Sequence, residues 1–124
     1  MNKQITQIST TFKRSGGAER LFRSIISHDS FKKDFNVRQS LYSKKGCFDE
    51  DFCKTFPHPV FFKTDAAIKE AFYNNDIILF WGDQKLNQYR LPKPQICIHY
   101  AVCEEPSDAV VNSNNYITHC VALS

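Results

Sequence analysis

Apolar positions recur along this chain with two periods, and each period predicts an element. From Ala18 to Ser27, the residues Leu21, Phe22, Ile25 and Ile26 share one side at helical spacing, with Arg20 and Arg23 elsewhere. That stripe predicts an amphipathic helix. His28-Asp29-Ser30 then supplies a stop and a fresh N-cap, so a second short helix is expected over Phe31 to Phe35. A further helix is expected from Thr64 or Asp65 to about Tyr73, burying Ala67, Ile68, Ala71 and Phe72, with Asn74-Asn75 as its close.

Period two marks the strands. Gln95 to Glu104 alternates most regularly, with Ile96, Ile98, Tyr100 and Val102 on one face and Cys97, His99, Ala101 and Cys103 on the other. Tyr116 to Leu123 puts Ile117, His119, Val121 and Leu123 on a shared face. Asp76 to Trp81 and Val60 to Phe62 are short β-rich runs. Gly82-Asp83 reads as a turn, Gln88 to Leu91 as a returning strand and Ala109 to Val111 as a short one. Asn112 to Asn115 forms a turn signal.

The first half is less regular. Val37 to Ser43 fits helix or strand, and Lys44-Lys45-Gly46 fits a turn. Asp49, Glu50 and Asp51 suit the positive end of a short helix running to Phe56, stopped by Pro57-His58-Pro59. Residues 1–15 hold few apolar positions (Ile5, Ile8, Phe12), which predicts an edge strand or a loose arm ended by Ser15-Gly16-Gly17. Helices first and strands later predict an α+β fold. Its antiparallel sheet is formed mainly by the C-terminal half, with two to four short helices packed on one face. A length of 124 residues fits a single domain over 1–124.

Composition narrows this picture. Hydrophobic residues at 42% against 23% charged exclude a wholly disordered chain. No apolar run approaches the roughly 20 residues of a membrane span, and the first residues lack a signal-like stretch. The expectation is a cytoplasmic protein with no membrane partner. Five cysteines, an odd count, favour reduced thiols over a disulfide framework. Cys97 and His99 point the same way on a strand and are weak zinc-ligand candidates. Cys103 would lie about 20 Å from Cys97 at strand rise, too far to join them. Buried thiols are the favoured reading, and no cofactor is expected.

Charge is divided unevenly. Residues 1–48 hold ten Lys and Arg against three acids, whereas residues 49–124 hold six against ten. No phosphate-loop, metalloprotease or nucleophile-elbow motif is present. The leading expectation is therefore a small non-catalytic binding or inhibitor module acting on a protein partner. A toxin-neutralising or host-defence-blocking protein is of this kind. Its surface would use Arg20, Arg23, Arg38, Lys44 and Lys45, with Trp81 and Tyr89 as aromatic anchors. One alternative is a metal-independent ribonuclease. His99 and His119 would share acid and base roles, with Lys44 stabilising the phosphorane charge. Another is a nucleic-acid-binding domain that uses the basic first half.

Overall fold

Ile77 to Trp81 are buried at all five positions. A strand apolar on both sides needs cover on both of its faces, which is the condition of a parallel sheet between helical layers. The computed structural model, which describes residues 2–74, 76–81, 86–94, 96–101, 113 and 115–122, has this architecture.

The elements run β1 (Lys3–Ser9), α1 (Gly17–Ser27), α2 (Asp29–Asp34), β2 (Phe35–Tyr42), α3 (Glu50–Cys53) and β3 (Val60–Phe62). They continue with α4 (Asp65–Asn74), β4 (Ile77–Trp81), a 3-10 turn (Leu86–Gln88), β5 (Ile96–Ala101) and β6 (His119–Ala122). The six strands form one sheet in the order β3-β2-β1-β4-β5-β6. Every pairing in it is parallel.

The expected antiparallel α+β fold is therefore corrected to a parallel α/β fold. The helices also cover two faces rather than one. Phe22 and Ile26 of α1 and Phe52 of α3 pack with Ile5, Ile77, Leu79 and Trp81 on one face. Ile68, Ala71 and Phe72 of α4 pack with Ile8, Leu41, Ile78 and Phe80 on the other. The chain winds out from β1 toward β3 beneath one helical layer. It then crosses to β4 and winds the opposite way beneath the second.

The first residues are not an edge or an arm: β1 is hydrogen-bonded to β2 on one side and β4 on the other. Its Thr6, Gln7 and Ser9 are buried although polar. So are Gln39 and Ser40 of β2, which stand opposite Thr6 and Gln7 in register. Gln39 Nε2 donates to Thr6 Oγ1 at 3.4 Å and to Glu70 Oε2 at 3.4 Å. Buried polar residues, of which Gln39 and Thr6 bond to each other while Gln7 Oε1 has no hydrogen-bond partner, replace the continuous apolar run expected of central parallel strands. Arg38 is the extra residue where the β1–β2 register shifts, a bulge that turns its guanidinium to Glu70 of α4.

The helix expected from Phe31 is α2, starting two residues earlier, with the His28 side chain accepting from Ser30 N at 3.2 Å. Of Val37 to Ser43, residues Val37 to Tyr42 are strand, within β2. Asp49 caps α3, its Oδ1 accepting from Phe52 N at 3.1 Å. The strand expected over Gln88 to Leu91 is not formed; the 3-10 turn at Leu86–Gln88 stands there. The turn at Gly82-Asp83, the strand at Ala109 to Val111, Asn112 and Cys103 lie outside the described residues. Among the described residues no helix is long and apolar enough to cross a membrane.

Candidate functional site

In a parallel sheet all strands point one way, so the loops leaving their carboxyl ends gather at one edge. The winding reverses between β1 and β4, and in doubly wound sheets ligands generally bind near such a reversal. The loop leaving β1 forms one wall of that position.

This loop is built firmly. Its Phe12 is 0% exposed, packed edge-on to Phe56 at 4.9 Å and Phe52 at 6.5 Å. Its backbone is joined to the loop after β2 by a run of bonds that prolongs the β1–β2 ladder. Ser43 N donates to Ser9 O (2.9 Å), Lys44 N to Thr10 O (2.9 Å), Phe12 N to Cys47 O (2.8 Å) and Asp49 N to Phe12 O (2.8 Å). The second loop reverses at Lys44–Cys47, closed by Cys47 N donating to Lys44 O at 3.1 Å. Gly46 has φ +77 there, a backbone state glycine enters at no steric cost.

Between these loops and the start of α1 lies an open cleft of about 650 Å³. Lys13, Arg14, Ser15, Arg20, Gly46, Phe48 and Asp49 line it. Three cations face one anion, and the Asp49 carboxylate already caps α3. Phe48 is 43% exposed and rests against Tyr42, with ring centroids 4.9 Å apart.

Behind the cleft, Glu19 folds back over the first turn of α1. It is only 4% exposed. Its Oε1 accepts from Thr11 Oγ1 at 3.2 Å, and its Oε2 has no hydrogen-bond partner. Burial raises its pKa above the usual carboxylate value, opposed by the Thr11 hydrogen bond. Gly16 leaves the space it needs: a Cβ at Gly16 would stand 1.2 Å from Glu19 Oε2. The carboxylate thus occupies the positive end of α1 itself.

Of the residues singled out from sequence, Arg20 lines this cleft, and Lys44 and Lys45 belong to the loop that forms its wall. Arg23 lies apart, its guanidinium 5.1 Å above the Phe52 ring and its Nη1 3.4 Å from Thr55 Oγ1. Arg38 is held by Glu70, each shifting the other's pKa toward its charged form. Trp81 is 1% exposed and stacks on Tyr100 at 4.3 Å, so it belongs to the core and is not a surface anchor. Tyr89 donates to Asp65 Oδ1 at 3.1 Å beneath the Lys63 ammonium.

His99 and His119 are not brought together. In the β5–β6 register His119 stands opposite Ile98 and His99 opposite Cys120. The two imidazoles therefore project from opposite faces of the sheet. His99 is 1% exposed and stacked on Phe80 at 4.8 Å, while His119 Nδ1 lies 2.8 Å from Thr118 Oγ1. Lys44 follows β2, on the far side of β1 and β4 from β5. Cys97 does share the His99 face, but it is packed in the α4-side core, where burial pushes its thiol up to about 12. Among the described residues no three His, Cys, Asp or Glu side chains are grouped to hold a metal ion.

Lys13, Arg14, Ser15, Glu19 and Phe48 were missed by the sequence reading. The signal for them in the sequence is Ser15-Gly16-Gly17 between a strand and a helix.

Strand order, two helical layers and a basic cleft at the carboxyl edge define a doubly wound α/β domain. The chain matches no family model, no curated protein and no solved structure.

Proposed function

We propose that this chain binds a small phosphate-bearing anion in the cleft between the β1–α1 and β2–α3 loops. The observation that carries the reading is the convergence of Lys13, Arg14 and Arg20 on one concave surface at the carboxyl edge of the sheet. Guanidinium groups meet phosphate oxygens in paired, charge-assisted hydrogen bonds, which makes two arginines and a lysine a suitable cradle. Phe48 adds an open aromatic face beside the cations, suited to a planar group attached to the phosphate. Because Glu19 fills the start of α1, the side chains rather than the helix end would carry the anion.

Calorimetric titration with inorganic pyrophosphate and with a nucleoside diphosphate tests this. Binding is expected for at least one of them. Replacing Arg14 or Arg20 with Ala should weaken it by about tenfold, the loss of one charge-assisted contact. No heat from either ligand at millimolar concentration would remove the reading. So would binding that both substitutions leave unchanged.

A second reading has the same cleft as its support. Cations beside an exposed aromatic ring also suit an acidic segment of a protein partner, the non-catalytic binding role expected from sequence. Binding of such a segment that excess pyrophosphate fails to displace would favour it. Affinity for long single-stranded RNA that falls steeply with salt would favour the nucleic-acid alternative instead.

A further inference from the structure

A second chemical pair lies away from the cleft, at the β5–β6 end of the sheet. In the parallel register His99 stands directly opposite Cys120, so both side chains leave the same face. Cys120 Sγ is 3.7 Å from His99 Nδ1, within reach of a hydrogen bond to sulfur. The two partners are unlike in environment. The His99 ring is buried and fixed by its stack on Phe80, with centroids 4.8 Å apart and planes 25° from parallel. Cys120 is exposed on β6, which ends the sheet. A rigid imidazole thus holds one side of a thiol whose other side faces solvent.

We propose that Cys120 and His99 form a thiol–imidazole pair that makes Cys120 a site of reversible modification by small disulfides. Thiolate is the reacting form, and an adjacent imidazole generates it by accepting the S–H proton. The exchange balances with the disulfide as sole co-reactant. The Cys120 proton moves to His99 Nδ1 as Sγ attacks one sulfur of the disulfide. The old S–S bond breaks, a new one forms to Cys120, and the departing thiolate recovers the proton. Cys120 is oxidised and the released sulfur is reduced. The other described cysteines lack this combination. Cys97 is buried, Cys53 is half-buried with its thiol 4.0 Å from the Phe12 carbonyl, and Cys47 is half-buried in the cleft-side loop.

The test uses the whole chain and oxidised glutathione, with modification at each cysteine followed by peptide mass spectrometry. The ratio of the Cys120 rate to the Cys47 rate is measured in native buffer and again in concentrated urea. The native ratio should exceed the urea ratio by about tenfold, and dithiothreitol should reverse the adduct. His99→Gln, checked by circular dichroism, should bring the native ratio down to the urea value. A wild-type native ratio no higher than in urea overturns the proposal, whether or not the variant folds. So does a folded His99→Gln protein that keeps the wild-type ratio.

Discussion

The Nε2 atom of His58 lies 2.7 Å from the Ser40 hydroxyl, inside the apolar layer between the sheet and α1. Ser40 is 0% exposed and His58 7%. The ring packs edge-on against Phe22 and Phe56, and its Nδ1 has no hydrogen-bond partner. Burial with no compensating negative charge lowers the His58 pKa to about 4 from an ordinary 6.5.

That relationship sets an acid limit on stability. In the unfolded chain His58 takes up a proton below about pH 6.5. In the folded chain it resists doing so until about pH 4. The unfolded state therefore binds more protons in this window. The stability is fully present above pH 6.5 and is lost as pH falls toward 4, by about 3 kcal/mol in all. Urea unfolding at pH 7.5 and pH 4.5 should show the loss, and His58→Phe should flatten the slope. An unchanged slope in that variant would assign the acid sensitivity to other groups.

Gly16 and Glu19 should behave as one unit. At φ −74 and ψ 127 an alanine fits the Gly16 backbone without strain. Its methyl group would nevertheless displace the Glu19 carboxylate. Gly16→Ala is expected to cost about 1–2 kcal/mol in the native sequence and close to nothing in a Glu19→Ala background. Additive costs in a double-mutant cycle would show that the two residues do not share this space.

Gly46 is required for a different reason. Nothing stands within 4 Å of where its Cβ would be, but its φ of +77 strains any other residue. Gly46→Ala should lower stability by about 1 kcal/mol, measured by thermal melting. Because the loop lines the cleft, the same change should also weaken pyrophosphate binding. Gly17, with nothing within 4 Å of its Cβ and no unusual φ, should accept alanine without loss.

Phe12 links the core to the cleft. Its ring is enclosed by Phe52 and Phe56, while its amide and carbonyl hold the loop after β2. Phe12→Ala should cost about 3–5 kcal/mol by cavity formation, with Phe12→Leu recovering most of it. A small loss for Phe12→Ala in chemical denaturation would mean that the loop is not anchored through this ring.

The parts of the fold legible in the sequence were those with unmixed patterns. Ile77–Trp81, the Ile96–Tyr100 alternation and the Ile68–Phe72 stripe each predicted the right element. Direction and order were not legible because β1 and β2 disguise themselves. Thr6, Gln7, Ser9, Gln39 and Ser40 resemble the solvent side of an exposed sheet, yet they are buried. Gln39 bonds to Thr6 and Glu70, and Ser40 to His58, through a register that spacing along the chain does not encode. The site was legible in part for the same reason. Arg20, Lys44 and Lys45 stood out as charge, but the convergence of Arg20 with Lys13 and Arg14 beside the loop that carries Lys44 and Lys45 depends on two loops joined through Phe12. The His99–His119 pairing failed on strand parity, because the β5–β6 register sets His119 opposite Ile98, one residue away from His99.

The central position of β1 also imposes a timetable on biosynthesis. β1 is made well before β4, so it takes its second neighbour only when Ile77–Trp81 has been made. Until then its β4-facing edge, carrying Ile5 and Ile8, has no native partner. Joining distant segments in a parallel sheet is slow, and an unpaired edge during that interval invites pairing with other chains. Yield during expression should therefore depend on how quickly residues 1–81 are completed, more than on the stability of the finished sheet.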